Sequence, residues 1–181
     1  MVEPDFPIEI KIPGGGKLAA AKIIFSEELY AVIDGNRNRL SATLHWPRFV
    51  TGLADTRFFL ENCESNFCNK KEAVYLIVIS GKIAGVISFN AIDLTRQTGY
   101  IGYWIDYTYE RNGIVTRSVD ALLRYYSSKD ILHRFVIKVS VENLASQAVA
   151  ERLGFEREGV LSRGELIGDR FHDQFIYAKI A

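Results

Sequence analysis

Apolar positions along this chain recur with two periods, and the change from one to the other falls near residue 73. Ahead of it, two β-branched runs, Ile8 to Ile12 and Leu18 to Ile24, flank Pro13-Gly14-Gly15-Gly16, whose composition reads as a turn. Ser26 stands where a helix N-cap is expected, before Leu29, Tyr30 and Ile33 on one face of a 3.6-residue repeat. A second helical stretch ends near Leu44-His45-Trp46-Pro47-Arg48-Phe49, and Asp55 to Phe67 reads as a third helix, carrying Phe58, Phe59 and Asn62.

From Ala73 the pattern is β-branched and aromatic. Ala73 to Ile79 and Ile83 to Phe89 are strands joined by the tight turn Ser80-Gly81-Lys82, and a polar connection, Asp93 to Thr98, leads to Tyr100 to Ile105. Connections this short allow only an antiparallel meander. A helix from Ile114 to Ser127 follows, with Val115, Val119, Leu122, Leu123 and Tyr126 on its apolar stripe. That crossover makes the next strand, Phe135 to Val141, parallel to a neighbour. A short helix, Leu144 to Leu153, ends at Gly154 as its cap, and strands near Phe155 to Leu161 and Phe171 to Lys179 complete the order. The class is α+β, a mixed α/β arrangement with a mostly antiparallel sheet, and a doubly wound parallel sheet is excluded.

Composition narrows the function classes. A chain of 181 residues fits one domain, 1–181, and its 22 basic and 22 acidic residues leave no net charge to attract nucleic acid or an anionic membrane. No apolar run is long enough to span a bilayer, and two acids among the first five residues argue against a secretory signal. Cys63 and Cys68 lack a second pair to complete a zinc site, so free thiols in a cytoplasmic protein without metal are expected.

Two segments carry candidate chemistry. In Trp104 to Thr116 a strand ends, a polar turn with Gly113 follows, and a long helix begins. A helix start offers unpaired N–H groups and partial positive charge, so Arg111-Asn112-Gly113-Ile114-Val115-Thr116 suits a phosphate, and Arg111 and Arg117 add charge. An ordinary strand-to-helix turn has the same composition, and the segment alone leaves both open. Gly14-Gly15-Gly16-Lys17 lacks the spacing of a P-loop. In the second segment, Asn143 sits at the N-cap of the helix that includes Ser146, again after a strand. A merely capped amphipathic helix would look the same.

Taken with Leu44-His45-Trp46-Pro47-Arg48-Phe49, Gly85 to Asn90, Ile101-Gly102-Tyr103-Trp104, Arg134 to Lys138, Asn143 to Ser146 and His172-Asp173, these segments resemble the GNAT acetyltransferase superfamily. Within it the chain resembles the RimL/RimJ-type ribosomal-protein N-terminal acetyltransferases, over most of its length from about Asp34. The resemblance implies a sheet splayed between two central strands, with acetyl-CoA as cosubstrate. The superfamily's Q/R-x-x-G-x-G/A motif falls on Glu110 to Val115. Glu110 and Val115 both depart from that pattern, which bears on cofactor affinity, and Arg111 is expected to offset the Glu110 charge.

The resemblance further implies a backbone N–H near Trp104 and Ile105 facing the thioester oxygen, Asn143 on the pantetheine chain, and Ser146 as general acid toward the departing thiolate. Glu72, at the start of the first meander strand, is the expected base, against the alternative of a solvated acid beside Lys70 and Lys71. His45 and Trp46 are expected on or beneath the acceptor side, and His133 is expected to be structural. His172 and Asp173 are expected at a strand end, and only one of Tyr103 and Trp104 can face the cleft. The implied acceptor is the N-terminal α-amine of a ribosomal protein. A small amine such as a polyamine or aminoglycoside is the alternative, and a non-catalytic acetyl-CoA-binding module is a third. Relatives of this type often form homodimers.

Overall fold

The computed structural model describes residues 4–181, so Met1 to Glu3, part of the stretch that argues against a signal sequence, lie outside the described residues. In chain order the elements are β1 (Glu9–Lys11), β2 (Lys17–Ala20), α1 (Ser26–Gly35), α2 (Arg37–Ser41), α3 (Leu53–Cys68), β3 (Ala73–Ile79), β4 (Lys82–Asp93) and β5 (Thr98–Ile105). They continue with α4 (Ile114–Ser128), β6 (Arg134–Ser140), α5 (Leu144–Arg152), β7 (Glu156–Ile167) and β8 (Arg170–Ile180). One sheet contains all eight strands in the order β1-β2-β3-β4-β5-β6-β8-β7. Every pairing is antiparallel except β5 with β6, which the α4 crossover makes parallel.

Strand alternation sends two apolar sets to opposite faces. Tyr75, Phe89, Phe135 and Ile137 pack with Val119, Leu122 and Tyr126 of α4. Val74, Leu76 and Val86 pack on the other face with Leu29 and Ile33 of α1 and with Leu60 and Cys63 of α3. Trp104 joins that second face, its ring 6.0 Å from that of Trp46. Among the described residues no helix is long and apolar enough to cross a membrane.

Several boundaries differ from the sequence expectation. β2 ends at Ala20, because the chain must leave the sheet to start α1; Ile23–Phe25 form a 3₁₀ turn anchored by the Ile23 amide on the Glu64 carboxylate at 3.0 Å. Ser26 is inside α1 instead of capping it, and its hydroxyl donates back to the Ile23 carbonyl. Phe58 and Phe59 of α3 are 66% and 42% exposed, so the buried stripe of that helix is Thr56, Leu60 and Cys63. β7 runs past the predicted stop at Leu161, because an irregularity between Leu161 and Glu165 absorbs the polar Ser162-Arg163-Gly164 without ending the strand. Gly154 closes α5 as expected, in the left-handed conformation at φ 75° just past Leu153.

The feature that positions the site is a parting of strands. β5 pairs with β6 only from Thr98 to Ile101, against Arg134 to Ile137, while β6 stays with β8 as far as Ser140 opposite Gln174. Gly102 to Ile105 therefore run on without a partner on that side. Gly85 of β4 lets the opposite side close tightly: a Cβ there would meet the Trp104 carbonyl and stand 2.8 Å from Ile105 Cα. Gly85→Ala should lower stability by about 3 kcal/mol, read as a shift in denaturant midpoint at unchanged m-value.

Candidate active site

The gap between β5 and β6 opens into a cleft of about 470 Å³. Its walls come from the α2 exit (Thr43, Leu44), from β4 and β5 (Asn90, Tyr100, Tyr103), from β6 (Lys138, Ser140), from the start of α5 (Asn143, Ser146) and from β7 and β8 (Glu165, Gln174).

Strand parity decides which β5 groups face the gap. The Asp106 amide donates to Ala84 of β4 at 2.7 Å, so the Trp104 amide, two residues back, also turns to β4. The Tyr103 and Ile105 amides point the other way, into the gap. Of the expected pair, Ile105 therefore carries the outward donor and Trp104 packs against Trp46. The Tyr103 side chain is the one in the cleft. Its hydroxyl lies 2.7 Å from Ser146 Oγ and 3.3 Å from the Ser146 carbonyl. Burial pushes the Tyr103 phenol up to about 12, with the Ser146 hydrogen bond pulling it back, so it remains a neutral donor at ordinary pH.

Asn143 caps α5 as expected, its Oδ1 accepting from the Ser146 amide at 3.1 Å. Gln147, one turn along, is buried and donates to the carbonyls of Ser140 and Val141 at 3.1 and 2.9 Å. These bonds tie the start of α5 to the end of β6, so the strand that leaves β5 takes Ser146 with it.

At the other helix start, Gly113 adopts φ 67° and ψ 11°, a left-handed conformation that glycine adopts without strain. A Cβ there would stand 3.2 Å from Arg117 Nη1, and that nitrogen donates to the Asn112 carbonyl at 2.9 Å. The Arg117 amide donates to the Gly113 carbonyl, so the amides from Gly113 to Thr116 precede the helical ladder. This cradle fits a pyrophosphate: backbone donors, no Cβ in the way, and cations on its margin. One expectation is corrected here. Glu110 is neutralised by Arg39 of α2 in a bidentate pair, with 2.8 Å between Arg39 Nε and Glu110 Oε1, whereas Arg111 is exposed. Arg152 of α5 also reaches this turn, donating to Thr116 Oγ at 3.1 Å. Ile114 is buried and Val115 half-buried, so these two contribute amides and packing.

Glu72 does not join this cleft. Its half-buried carboxylate accepts from Asn66 of α3 at 2.8 Å, on the far side of β4 from β5. Among the described residues the carboxylate that lines the cleft is Glu165, unmarked in the sequence because it lies between the two predicted strands, past the expected stop at Leu161. Burial raises its pKa; the hydrogen bond from Gln174 Nε2, 3.1 Å away, and the nearby His172 pull it down. His172 sits across from Glu165 in the β7–β8 register, 3.4 Å from Glu142, while Asp173 accepts from the Arg163 amide. His45 lies against Arg48 at 3.1 Å, and His133 bonds to Asp130 at the foot of β6.

A parted β5–β6 pair with a glycine-turned helix start beside it is the architecture of an acyl-CoA transferase, and the comparisons agree. Residues 27–156 match the acetyltransferase (GNAT) domain model, and the chain belongs to that family. It is an acetyl-CoA-dependent N-acetyltransferase. The ribosomal-protein-serine acetyltransferase of Escherichia coli (strain K12) is 34% identical over 171 residues, 94% of this chain and 96% of that protein. Among solved structures, RimL, the ribosomal L7/L12 α-N-protein acetyltransferase in complex with coenzyme A, superposes with TM-score 0.93 at 34% identity, covering 95% of this chain and 97% of that one. The microcin C7 self-immunity acetyltransferase MccE, in complex with acetyl-CoA and AMP, gives TM-score 0.93 at 37% identity and 98% coverage of both chains.

The Glu165 environment makes a direct prediction. Its carboxyl should titrate above an ordinary glutamate, and Gln174→Leu, by removing a donor to the charged form, should move it higher still. Carbon-detected NMR titration of the side-chain carboxyl reads both; a downward shift in the variant would contradict this assignment.

Proposed function

We propose that residues 1–181 form a single N-acetyltransferase domain that acetylates the N-terminal α-amine of a protein, with a ribosomal protein bearing serine or alanine as the physiological acceptor. The observation that carries the proposal is the placement of Glu165 and the Tyr103–Ser146 pair in one open cleft beside the cradle at Gly113. Support for the acceptor comes from relatives that acetylate ribosomal-protein serine or alanine. A cytoplasmic setting belongs to the same proposal. So does a homodimer, for which the exposed Phe58 and Phe59 supply apolar surface and sedimentation is the check.

Acetyl-CoA supplies an activated acyl group as its thioester. Asn143, with its amide NH₂ free of the cap, binds the pantetheine arm, and residues 111–116 hold the pyrophosphate through their backbone. The Ile105 amide donates to the thioester oxygen as charge gathers there. Glu165 takes a proton from the acceptor ammonium, directly or through one water, and the neutral nitrogen attacks the carbonyl carbon. The C–N bond forms as the C–S bond breaks, and the nitrogen gives up its second proton to solvent water. Ser146 Oγ passes a proton to the thiolate and is resupplied along its hydrogen bond with the Tyr103 hydroxyl, which takes its own proton back from solvent water. A serine hydroxyl alone is a weak acid, and a buried phenol behind it gives the proton a defined source. A raised carboxyl suits this base, because an α-amine has a pKa near 8 and proton transfer is favoured when the two values approach.

A small acceptor is the second reading, favoured by the similarity to MccE, whose structure holds AMP. A polyamine is disfavoured, because Asp34, Asp55, Glu64 and Glu72 make other contacts and, among the described residues, Glu165 is the one carboxylate on the cleft wall. Free-thiol release from acetyl-CoA across N-terminal peptides, spermidine and aminoglycosides tests all of this. Peptides beginning with serine or alanine are expected to turn over; binding of acetyl-CoA without release on any amine would indicate the non-catalytic module.

Two variants follow. Glu165→Gln should lower kcat/KM by roughly 10² to 10⁴ and remove the acidic limb of the pH profile, with activity returning as pH rises and the amine deprotonates by itself. Ser146→Ala should lower turnover more than acetyl-CoA affinity; unchanged turnover would take Ser146 out of the mechanism.

A further inference from the structure

Two side chains of opposite charge line the acceptor side of the cleft. Glu165 is half-buried and held by Gln174. Lys138 of β6 is exposed, and its ammonium lies 5.5 Å from the centre of the Tyr100 ring. Among the described residues Lys138 makes no ion pair. The strands carrying these two groups are separated by β8, and the groups are offset along it by four positions, Lys138 opposite Ile176 and Glu165 opposite His172, which puts their backbones roughly 16 Å apart at ordinary strand spacing and rise. A cation on an aromatic platform, without a carboxylate beside it, is available to an anion on a ligand and repels a second cation.

We propose that Lys138 is a specificity-determining residue, reading a carboxylate or phosphate on the acceptor, so that the preferred substrate carries a free α-amine and an anionic group on the adjoining unit. The proposal rests on the acceptor reading of the cleft given above. Glu165 draws the amine and Lys138 the anion, and together they orient the acceptor along the cleft, amine toward Ser146. Tyr100 holds the ammonium at the wall and offers the remainder of its ring, 37% exposed, to the unit that bears the anion. A peptide with aspartate in second place and an amino compound bearing a phosphate share this chemistry. Spermidine does not, since its second ammonium would meet Lys138.

The test measures kcat/KM by thiol release for three peptides that differ only in having aspartate, alanine or lysine after an N-terminal serine, and for O-phosphoserine amide against serine amide. The wild-type protein should favour the anionic member of at least one set by roughly tenfold, the size of one charge-assisted contact. Discrimination in the peptide set alone points to a protein acceptor, and in the amide pair alone to a phosphorylated small molecule. Lys138→Gln should abolish the preference and Lys138→Glu should invert it, through acceptor KM and with acetyl-CoA KM unchanged. Equal rates for anionic and cationic acceptors, or a ratio unmoved in Lys138→Glu, would overturn the proposal. Thiol release absent with every acceptor would instead overturn the catalytic reading beneath it, and this inference with it.

Discussion

A β-strand that loses its neighbour must satisfy its backbone groups elsewhere, and the site grows from that obligation. β6 follows β8 away from β5 after Ile137, leaving the Tyr103 and Ile105 amides directed into the gap. Side chains cannot refill it completely, because the same departure carries α5 off with β6 through the Gln147 bonds. Across the gap the Tyr103 hydroxyl meets Ser146. A ligand with its own amide and carbonyl groups can enter as a substitute strand, so binding draws on bonds that the fold leaves unmade. The parting is possible because the rest of the sheet is antiparallel and firmly registered on both flanks.

Charge around the anion cradle is arranged by distance in sequence. The glutamate at 110 would oppose a pyrophosphate if it were left free. Arg39 comes from α2, 71 residues earlier, and removes that charge by pairing with it, leaving Arg111 exposed and Arg152 beside Thr116. An exposed pair of this kind contributes little to stability. Its consequence is local: the negative charge next to the helix start is cancelled, and the helix dipole acts unopposed.

Most of the fold was legible because its strongest signals are local. The β3–β4–β5 meander, the α4 stripe and the parallel return of β6 follow from short turns, a 3.6-residue repeat and the crossover rule. Both helix starts were legible as well, since Gly113 and Asn143 are residue types with local conformational reasons to be there. The carboxylate on the cleft wall was not. Glu165 lies in a strand whose polar sequence, Ser162-Arg163-Gly164-Glu165, imitates a loop, and a register irregularity turns it toward the cleft. Glu72 stands at a strand start, where the family resemblance implies a carboxylate, and β4 lies between it and β5. Tyr103 against Trp104 was a choice of face, which alternation poses and only tertiary packing resolves. The Arg39–Glu110 pair joins residues 71 apart, a separation that no local pattern encodes.

The burial of Glu165 has a thermodynamic consequence that suits the base role proposed for it. A carboxyl with a raised folded pKa stabilises the protein below its unfolded pKa, and that contribution is lost as pH rises through the folded value. At neutral pH the site therefore holds a carboxylate in a place that disfavours its charge. Gln174 and His172 reduce the cost, since both favour the charged form, but they do not remove it. An arriving ammonium does so more completely, first as a counter-ion and then by giving up its proton. In the proposed mechanism the destabilisation in the free protein becomes a driving force for deprotonating the acceptor, one that operates when an amine occupies the cleft. A better-solvated carboxylate would improve stability and weaken the base, because its pKa would fall further below that of the amine.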